Sequence, residues 1–347
     1  MGKSHSKDKR TRGRSTSSSQ KSSQDGIVTM SGSKQLPQAH SDAVTCLAPV
    51  RPGLCLTGSS DKTVVLYDWT HGAVKRRWSG HSREVTKVAY SAGLDAAFSA
   101  SRDKTVLMWK LSNIDTNPIR AFRGHTMVVM GLTINPDNTQ VCTGSRDNSL
   151  RMWDVETGAC LMENSVPRNL VTDICWVPGQ QMVAQTGEDK ALKLWDTRGL
   201  YVSCTFPLKQ YIQTCCDVSR DGNYCLTTSN GFGGQGCEAT LWDVRAVKAL
   251  CEYHGHRETA SACAFLPPVL SQPLVATASH DCTVRIWDQN NQDCLCVQTL
   301  PVSGPLTALA GFDDASLCCS SFNTGVHLFH LDVTPEQKVN LIRKAQF

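Results

Sequence analysis

The 347-residue sequence predicts an all-β ring of seven four-stranded sheets, preceded by a disordered basic tail. Three observations carry this reading. A short pattern ending in an aromatic residue recurs seven times at a nearly constant interval. No amphipathic helical stretch of ~10–15 residues recurs between the copies, which argues against alternating strands and helices. Residues 1–33 hold ten Ser and no apolar run, so they bury too little to offset the entropy of ordering.

Taken in order, the tail comes first. Residues 1–26 carry Lys3, Lys7, Lys9, Arg10, Arg12, Arg14 and Lys21 against Asp8 and Asp25, a net of +5. The remainder balances 28 basic against 29 acidic residues, so the formal +4 belongs to the tail. A uniformly basic domain that coats nucleic acid is therefore not expected, and an electrostatic partner is expected at the N-terminus. The start also lacks the apolar stretch of a secretory signal, and no segment approaches the ~18–20 apolar residues of a membrane-spanning helix. The 17 Cys accordingly read as reduced thiols of a cytosolic protein rather than as a disulfide scaffold.

The repeat follows. LTGSSDKTVVLYD, FSASRDKTVLMWK, VCTGSRDNSLRMWD, AQTGEDKALKLWD, ATLWD, ATASHDCTVRIWD and SSFNTGVHLFH place aromatics at Tyr67, Trp109, Trp153, Trp195, Trp242, Trp287 and Phe329. Their intervals are 42, 44, 42, 47, 45 and 42 residues. A period of ~40–45 residues fits four short strands per unit, stacked radially as the blades of a propeller. Within TVLMWK, Val106 and Met108 face one way while Leu107 and Trp109 face the other. Both sets are apolar because each blade packs between two neighbours. The Asp- and Asn-containing turns SRDKT and SRDNS suit tight bends.

These residues resemble the WD-repeat β-propeller family over about residues 34–335. Gly-His occurs at Gly80–His81, Gly124–His125 and Gly255–His256, and Trp-Asp at Trp153–Asp154, Trp195–Asp196, Trp242–Asp243 and Trp287–Asp288. The reading gives a tail at 1–33, a seven-bladed propeller at 34–335 and a C-terminal tail at 336–347. The sequence departs from the family pattern in four blades: Tyr67 replaces a Trp, blades four and five lack Gly-His, and blade seven has Asn323 and Phe329–His330.

His81, Ser99 or Ser101, and Asp103 have the residue types of a hydrolase triad. The pairs His40/Asp61, His125/Asp147 and His256/Asp281 repeat the arrangement at blade spacing, whereas catalysis needs one copy. The resemblance implies instead a buried structural tetrad of loop His, strand Ser or Thr, turn Asp and strand Trp. It would comprise His81, Ser99, Asp103 and Trp109; His125, Asp147 and Trp153; and His256, Asp281 and Trp287. Gly231–Gly236 matches GxGxxG, but a strand rather than a helix follows, so it reads as a lengthened turn and not a nucleotide site. Cys294 and Cys296, with His280 and Cys282, have the wrong spacing for zinc. No catalysis, cofactor, metal or small-molecule substrate is expected.

The resemblance also implies that residues just before the turn Asp face partners. These positions are Ser60, Arg102, Arg146, Glu188, His280 and Phe322, and Arg102 with Arg146 suits an acidic protein segment. WDxR at Trp195–Arg198 and Trp242–Arg245 resembles the docking motif of substrate receptors for cullin-type ubiquitin ligases, one alternative function; a nuclear chromatin-associated propeller is another. Met1-Gly2-Lys3-Ser4-His5-Ser6-Lys7 fits the N-myristoylation pattern, with Gly2 the acceptor and Ser6 and Lys7 in the recognition positions. One acyl chain binds membranes marginally, so Lys3, Lys7, Lys9, Arg10, Arg12 and Arg14 would supply the second attraction, to an anionic surface. The expected function is a non-catalytic scaffold for other proteins. It is cytoplasmic and peripheral to a membrane, and a resemblance of MGKSHSK and the blade-five stretch to cilium-associated family members implies a cilium or basal-body setting.

Overall fold

A computed structural model describes residues 33–112, 115–267, 272–323, 325–334 and 338–347. Among these residues all regular structure is β-strand, arranged as seven antiparallel sheets in ring order. Blade one comprises Val44–Arg51, Leu54–Ser59, Thr63–Asp68 and Ala73–Ser79. Five further blades begin at Val85, Val129, Val171, Gln213 and Ala260. Blade seven uses Leu306–Gly311, Ser316–Ser321, Gly325–Val333 and Val339–Gln346. Residues 336–347 are therefore not a tail, because Val339, Leu341 and Ala345 are buried and complete the seventh sheet. Lys34–Gln35 adds a fifth strand there, parallel to Ala345–Gln346, so both ends of the ring meet in one sheet.

The seven aromatics all lie on third strands and are nearly inaccessible. The alternation in TVLMWK is reproduced in packing. Leu107 and Trp109 join a cluster with blade-one residues Leu66 and Trp78, while Val106 and Met108 join blade-three residues Val129 and Trp153. Each interface of the ring is thus a small separate core, filled from two sheets.

A bulge in every first strand joins the blades near the axis. The ladder skips one residue between the first and second strands of all seven sheets, at Thr45, Thr86, Met130, Thr172, Thr214, Ser261 and Thr307. A bulged residue leaves the ladder and its side chain is re-aimed. Six of the seven carry hydroxyls that donate to a carbonyl of the next blade. Thr45 reaches Val85 O at 2.6 Å, Thr86 reaches Val129 O at 2.5 Å, and Thr172, Thr214 and Ser261 reach Gln213, Ala260 and Leu306 O at 2.6 Å each. Thr307 reaches Val44 O at 2.6 Å and closes the ring. Met130 cannot donate. Beside it, the Lys87 ammonium of blade two bonds Asp173 of blade four at 2.7 Å.

Further out, the predicted tetrads assemble. In blade two, His81 Nδ1 meets Asp103 at 2.9 Å and its Nε2 meets the Ser99 hydroxyl at 2.8 Å. Trp109 Nε1 donates to the same hydroxyl at 2.8 Å. His125, Thr143, Asp147 and Trp153 repeat this in blade three, as do His256, Thr277, Asp281 and Trp287 in blade six. Blade one has the His40–Thr57–Asp61 part, but the Tyr67 hydroxyl donates to Pro37 O at 2.7 Å instead. In blade four Trp195 donates to Gln185 Oε1 at 2.9 Å, and Lys193 bridges Asn169 at 2.6 Å and Asp189. In blade five Trp242 bonds Thr227, which bonds Gln213 at 2.7 Å. In blade seven His327 comes from the third strand, between the Ser321 hydroxyl at 3.1 Å and the Arg343 guanidinium at 2.8 Å.

Burial sets the protonation of these groups. Asp61, Asp103, Asp147 and Asp281 stay below the usual carboxylate range, because hydrogen bonds to the partner His and to the turn outweigh desolvation. Burial and the Arg343 charge push His327 down to about 3. Two tests follow from this chemistry. Asp103→Ala leaves His81 and the backbone N–H of Ser82 without their acceptor, and destabilisation of about 3 kcal/mol is expected. The same change at Asp8, in the N-terminal segment, is expected to leave the melting temperature unchanged; equal melting of the two variants would refute the assignment. For His327, the unfolded chain takes up a proton near pH ~6.5 that the native ring refuses until about pH 3, so stability falls on acidification by about 1.4 kcal/mol per pH unit across that window. His327→Gln is expected to flatten the melting-temperature profile between those limits, and a profile parallel to wild type would disprove the account.

Candidate interaction site

Each blade presents two sets of turns. The loops between blades and the turns joining second to third strands form one face, here called upper. The turns joining first to second and third to fourth strands form the lower face. Left-handed residues build the upper turns: Lys62, Lys104, Asn148, Lys190 and Cys282 all have φ between 63° and 74°. The preceding Asp side chain bonds the N–H two residues on, as Asp103 does to Thr105 at 3.0 Å, and offsets this strain.

Arg102, Arg146, Glu188 and His280 all reach this upper face, but they are not equivalent. Arg146 and Glu188 pair with each other across blades three and four. Arg102 lies 3.7 Å from Glu84 and is about half exposed. His280 is exposed, and desolvation lowers its pKa. The structure thus brings Arg146 and Glu188 together and keeps Arg102 and His280 apart, on blades two and six. Gly2, Ser6, Lys3, Lys7, Lys9, Arg10, Arg12 and Arg14 lie outside the described residues.

The Gly231–Gly236 run is the turn between Tyr224–Ser229 and Ala239–Asp243, closed by a Phe232–Gln235 bridge. A side chain at Gly236 would strike the Tyr211 ring, which explains that glycine. Of the WDxR pair, Arg198 grips Asp196 with Nε at 3.0 Å, and Arg245 is drawn to Asn223; both lie on the lower face. Ser99 has no solvent exposure and is held by both His81 and Trp109, so no substrate reaches its hydroxyl.

Sequence reasoning missed the channel on the ring axis. It has a volume of about 500 Å³ and is lined by the bulged hydroxyls, Lys87, Asp173, Asp217, Cys175 and Cys215. Burial raises Asp217 to about 6 although the Phe265 and Val218 N–H groups donate to it. Asp173 accepts from Cys215 at 3.2 Å as well as from Lys87. Among the described residues no cluster of three or more His, Cys, Asp or Glu is arranged to hold a metal ion. A signal for the belt existed: Thr or Ser at the second position of six first strands.

Comparison with known proteins places this geometry. The model of the WD domain, G-beta repeat, matches residues 31–68, 72–110, 116–154, 159–196 and 247–288. Among curated proteins, the nuclear distribution protein nudF of Aspergillus niger is 25% identical over 74% of this chain and 52% of its own length. The nuclear distribution protein PAC1 of Arthroderma otae is 26% identical over 76% of this chain and 62% of its own, and that of Coccidioides posadasii is 28% identical over 76% and 60%. The chain thus matches only about half to three-fifths of these relatives' length. The repeated Trp-Asp strands, the loop His–turn Asp pairs and the five matched segments make one case: this chain belongs to the WD40-repeat family of β-propellers.

Proposed function

We propose that this propeller is a non-catalytic scaffold for other proteins, tethered to membranes by an N-myristoylated basic tail. The observation that carries the tether is the coincidence of Gly2 and Ser6 in the acylation pattern with six Lys and Arg between positions 3 and 14. A single myristoyl chain gives an association constant of only ~10⁴ M⁻¹, and each cation near an anionic leaflet adds up to about 1 kcal/mol. The two halves therefore work jointly. The scaffold role rests on family membership and on the rigid upper face. A cilium or basal-body setting belongs to the same proposal and rests on the resemblance of the N-terminal and blade-five stretches.

Myristoylated protein is expected to sediment with vesicles containing anionic lipid. Gly2→Ala, or replacement of Lys7, Lys9, Arg10, Arg12 and Arg14 by Gln, is expected to release it. Ser15 and Ser17 each follow an Arg three residues back, and phosphate there adds about −1.5 to −2 charge per site. Ser15→Glu with Ser17→Glu is thus expected to weaken binding partially. Binding indifferent to lipid charge, or surviving Gly2→Ala, would overturn the tether.

The scaffold half has its own test. Arg102→Glu with Arg146→Glu reverses two cations on the upper face and sets a second carboxylate against Glu188. Affinity capture from cells is expected to lose an acidic partner while the melting temperature shifts by no more than about 1 kcal/mol of stability, as for exposed ion pairs. Recovery of the same proteins with both forms would place the docking site elsewhere.

A further inference from the structure

Four large apolar side chains stand exposed on the upper face, Leu208 and Phe232 at blade five and Val302 and Phe322 at blade seven. On the lower face, apolar surface is recessed instead. A cleft of about 430 Å³ opens there between blades two and three, a size typical of ligand-binding pockets. Leu94 and Met108 of blade two and Val155 of blade three give it apolar walls, and Ile119, which also lines it, is 43% exposed.

Two other joints show what fills this place. At the ends of three third strands, the N–H groups of Trp69, Val155 and Leu331 bond Gly53 O, Thr139 O and Ala315 O in the first lower turn of their own blades, so the three positions are equivalent. The preceding blade faces each of them with the residue closing its first strand, Phe312, Ser91 and Leu266 respectively, each paired with the start of the second strand. Between blades seven and one, Trp69 meets Phe312 edge to face with centroids 4.8 Å apart. Between blades six and seven, Leu266 and Leu331 leave only about 10 Å³. Between blades two and three the pair is Ser91 and Val155, and neither is bulky. The cleft is therefore the space of large side chains that this joint does not supply.

Its shape is fixed from both sides. Across the inner end the Ser91 hydroxyl donates to Asn138 Oδ1 at 2.6 Å. Further out, the stem of Arg120 lies against Gly158 of blade three, where a Cβ would come within 2.9 Å of it.

The surroundings are acidic with every charge counted. Residues 91–95, 110–112, 115–120, 135–139 and 154–159 hold Asp95, Asp115, Asp137, Asp154 and Glu156 against Lys110 and Arg120, five acids to two bases, a net of −3. Lys110 is turned to Leu94 O at 2.6 Å. Asp137, Asp154 and Glu156 line the cleft beside Arg120 and make no ion pair among the described residues. Asp154 spends Oδ1 on the Thr157 N–H at 2.7 Å and hydroxyl at 2.6 Å, and Oδ2 accepts nothing among the described residues.

We infer that this cleft docks a segment of another protein that carries one large apolar side chain, an aromatic ring above all, flanked by Lys or Arg. The ring enters the space that Trp69 and Phe312 fill between blades seven and one, and the flanking cations meet Asp137, Asp154 and Glu156. A wholly apolar segment leaves the three carboxylates unused, and an acidic one is repelled. The inference rests on the scaffold reading and adds to it a second surface, on the face opposite Arg102 and Arg146.

The test uses the full chain and short fluorescein-labelled synthetic peptides with a central Phe between Lys and Arg residues, read by anisotropy. Saturable binding that weakens with added salt is expected. Ser in place of the Phe, or Glu in place of the cations, is expected to weaken it at least about tenfold. Val155→Trp copies blade one, and is expected to fill the cleft and prevent binding without lowering the melting temperature. Asp137→Lys with Glu156→Lys, both exposed, is expected to weaken binding roughly tenfold at unchanged melting, and decides the matter should Val155→Trp fail to fold. Arg102→Glu with Arg146→Glu is expected to leave peptide binding unchanged. Absence of binding, equal binding of the Ser or Glu peptides, or binding that persists in both cleft variants would overturn the inference. So would self-association in analytical ultracentrifugation that Val155→Trp abolishes, since the occupant would then be a second copy of the chain. Intact peptide binding with no protein captured from cells would count against the scaffold reading alone.

Discussion

A ring of seven sheets holds its shape only if each sheet is fixed to the next at the same angle, and here the bulged first strand sets that angle. Moving one residue out of the ladder frees its side chain to reach sideways, so a hydroxyl there bonds the neighbouring blade where the sheets crowd closest to the axis. The contact from Thr307 to Val44 spans 263 residues of sequence and makes the chain circular. Where the pattern fails, at Met130, an ion pair reaches from blade two to blade four. Burial works against the Lys87 charge, yet Asp173 outweighs it and holds the ammonium charged. Buried ion pairs add little net stability, so its value is positional: it ties blade two to blade four past blade three, whose bulged residue offers no hydroxyl to blade four.

The seam between blades seven and one shows how the chain ends complete that circle. Tyr67 stands where the other blades carry Trp, and its ring stacks on Phe347 with centroids 4.1 Å apart and planes 1° from parallel. The second ring of an indole would compete for the space that Phe347 fills. The Tyr67 hydroxyl then turns to Pro37 O, in the segment that follows Lys34–Gln35. One side chain therefore anchors both the C-terminus and the strand that carries the N-terminal segment into the ring. A departure from the repeat that looks like decay in the sequence is a requirement of closure.

What the sequence made legible follows the same division. The seven aromatics, the strand alternation around Trp109 and the tetrads of blades two, three and six were readable because each uses fixed residue types at fixed spacing. Blades four and five hid their equivalents by changing residue type: Gln185 and Gln213 perform, with amide groups, what Ser or Thr and His perform elsewhere. The final strand was missed because the repeat was counted by third-strand aromatics, and nothing aromatic follows Phe329 until Phe347 itself. Its alternation, with Val339, Leu341 and Ala345 inward, is interrupted by Arg343, which serves His327. The channel and the ion pairs of the upper face were beyond reach, since Lys87 with Asp173 and Arg146 with Glu188 join residues 86 and 42 positions apart.

The same differences in residue type accompany the differences between blades on the upper face. A loop histidine tied to a turn aspartate clamps the loop before a blade to the turn within it, and blades one, two, three and six keep that clamp. Blades four, five and seven have no loop histidine; in blade four Lys193 joins Asn169 of the loop to Asp189 of the turn and so keeps a clamp of another kind. In blade five Gln213 joins the Trp242–Thr227 network from within the first strand, and in blade seven, where Phe329 has no polar group to satisfy, His327 of the third strand lies between Ser321 and Arg343. Their upper loops are released from the clamp and obey other constraints: a glycine-rich turn of its own register in blade five, and a proline-flanked loop bonded to its turn in blade seven. All four of the most exposed upper-face apolar side chains sit on these two blades. A polar anchor placed on the strands leaves the loop above it without the histidine clamp, and the two blades flanking blade six are built in this way.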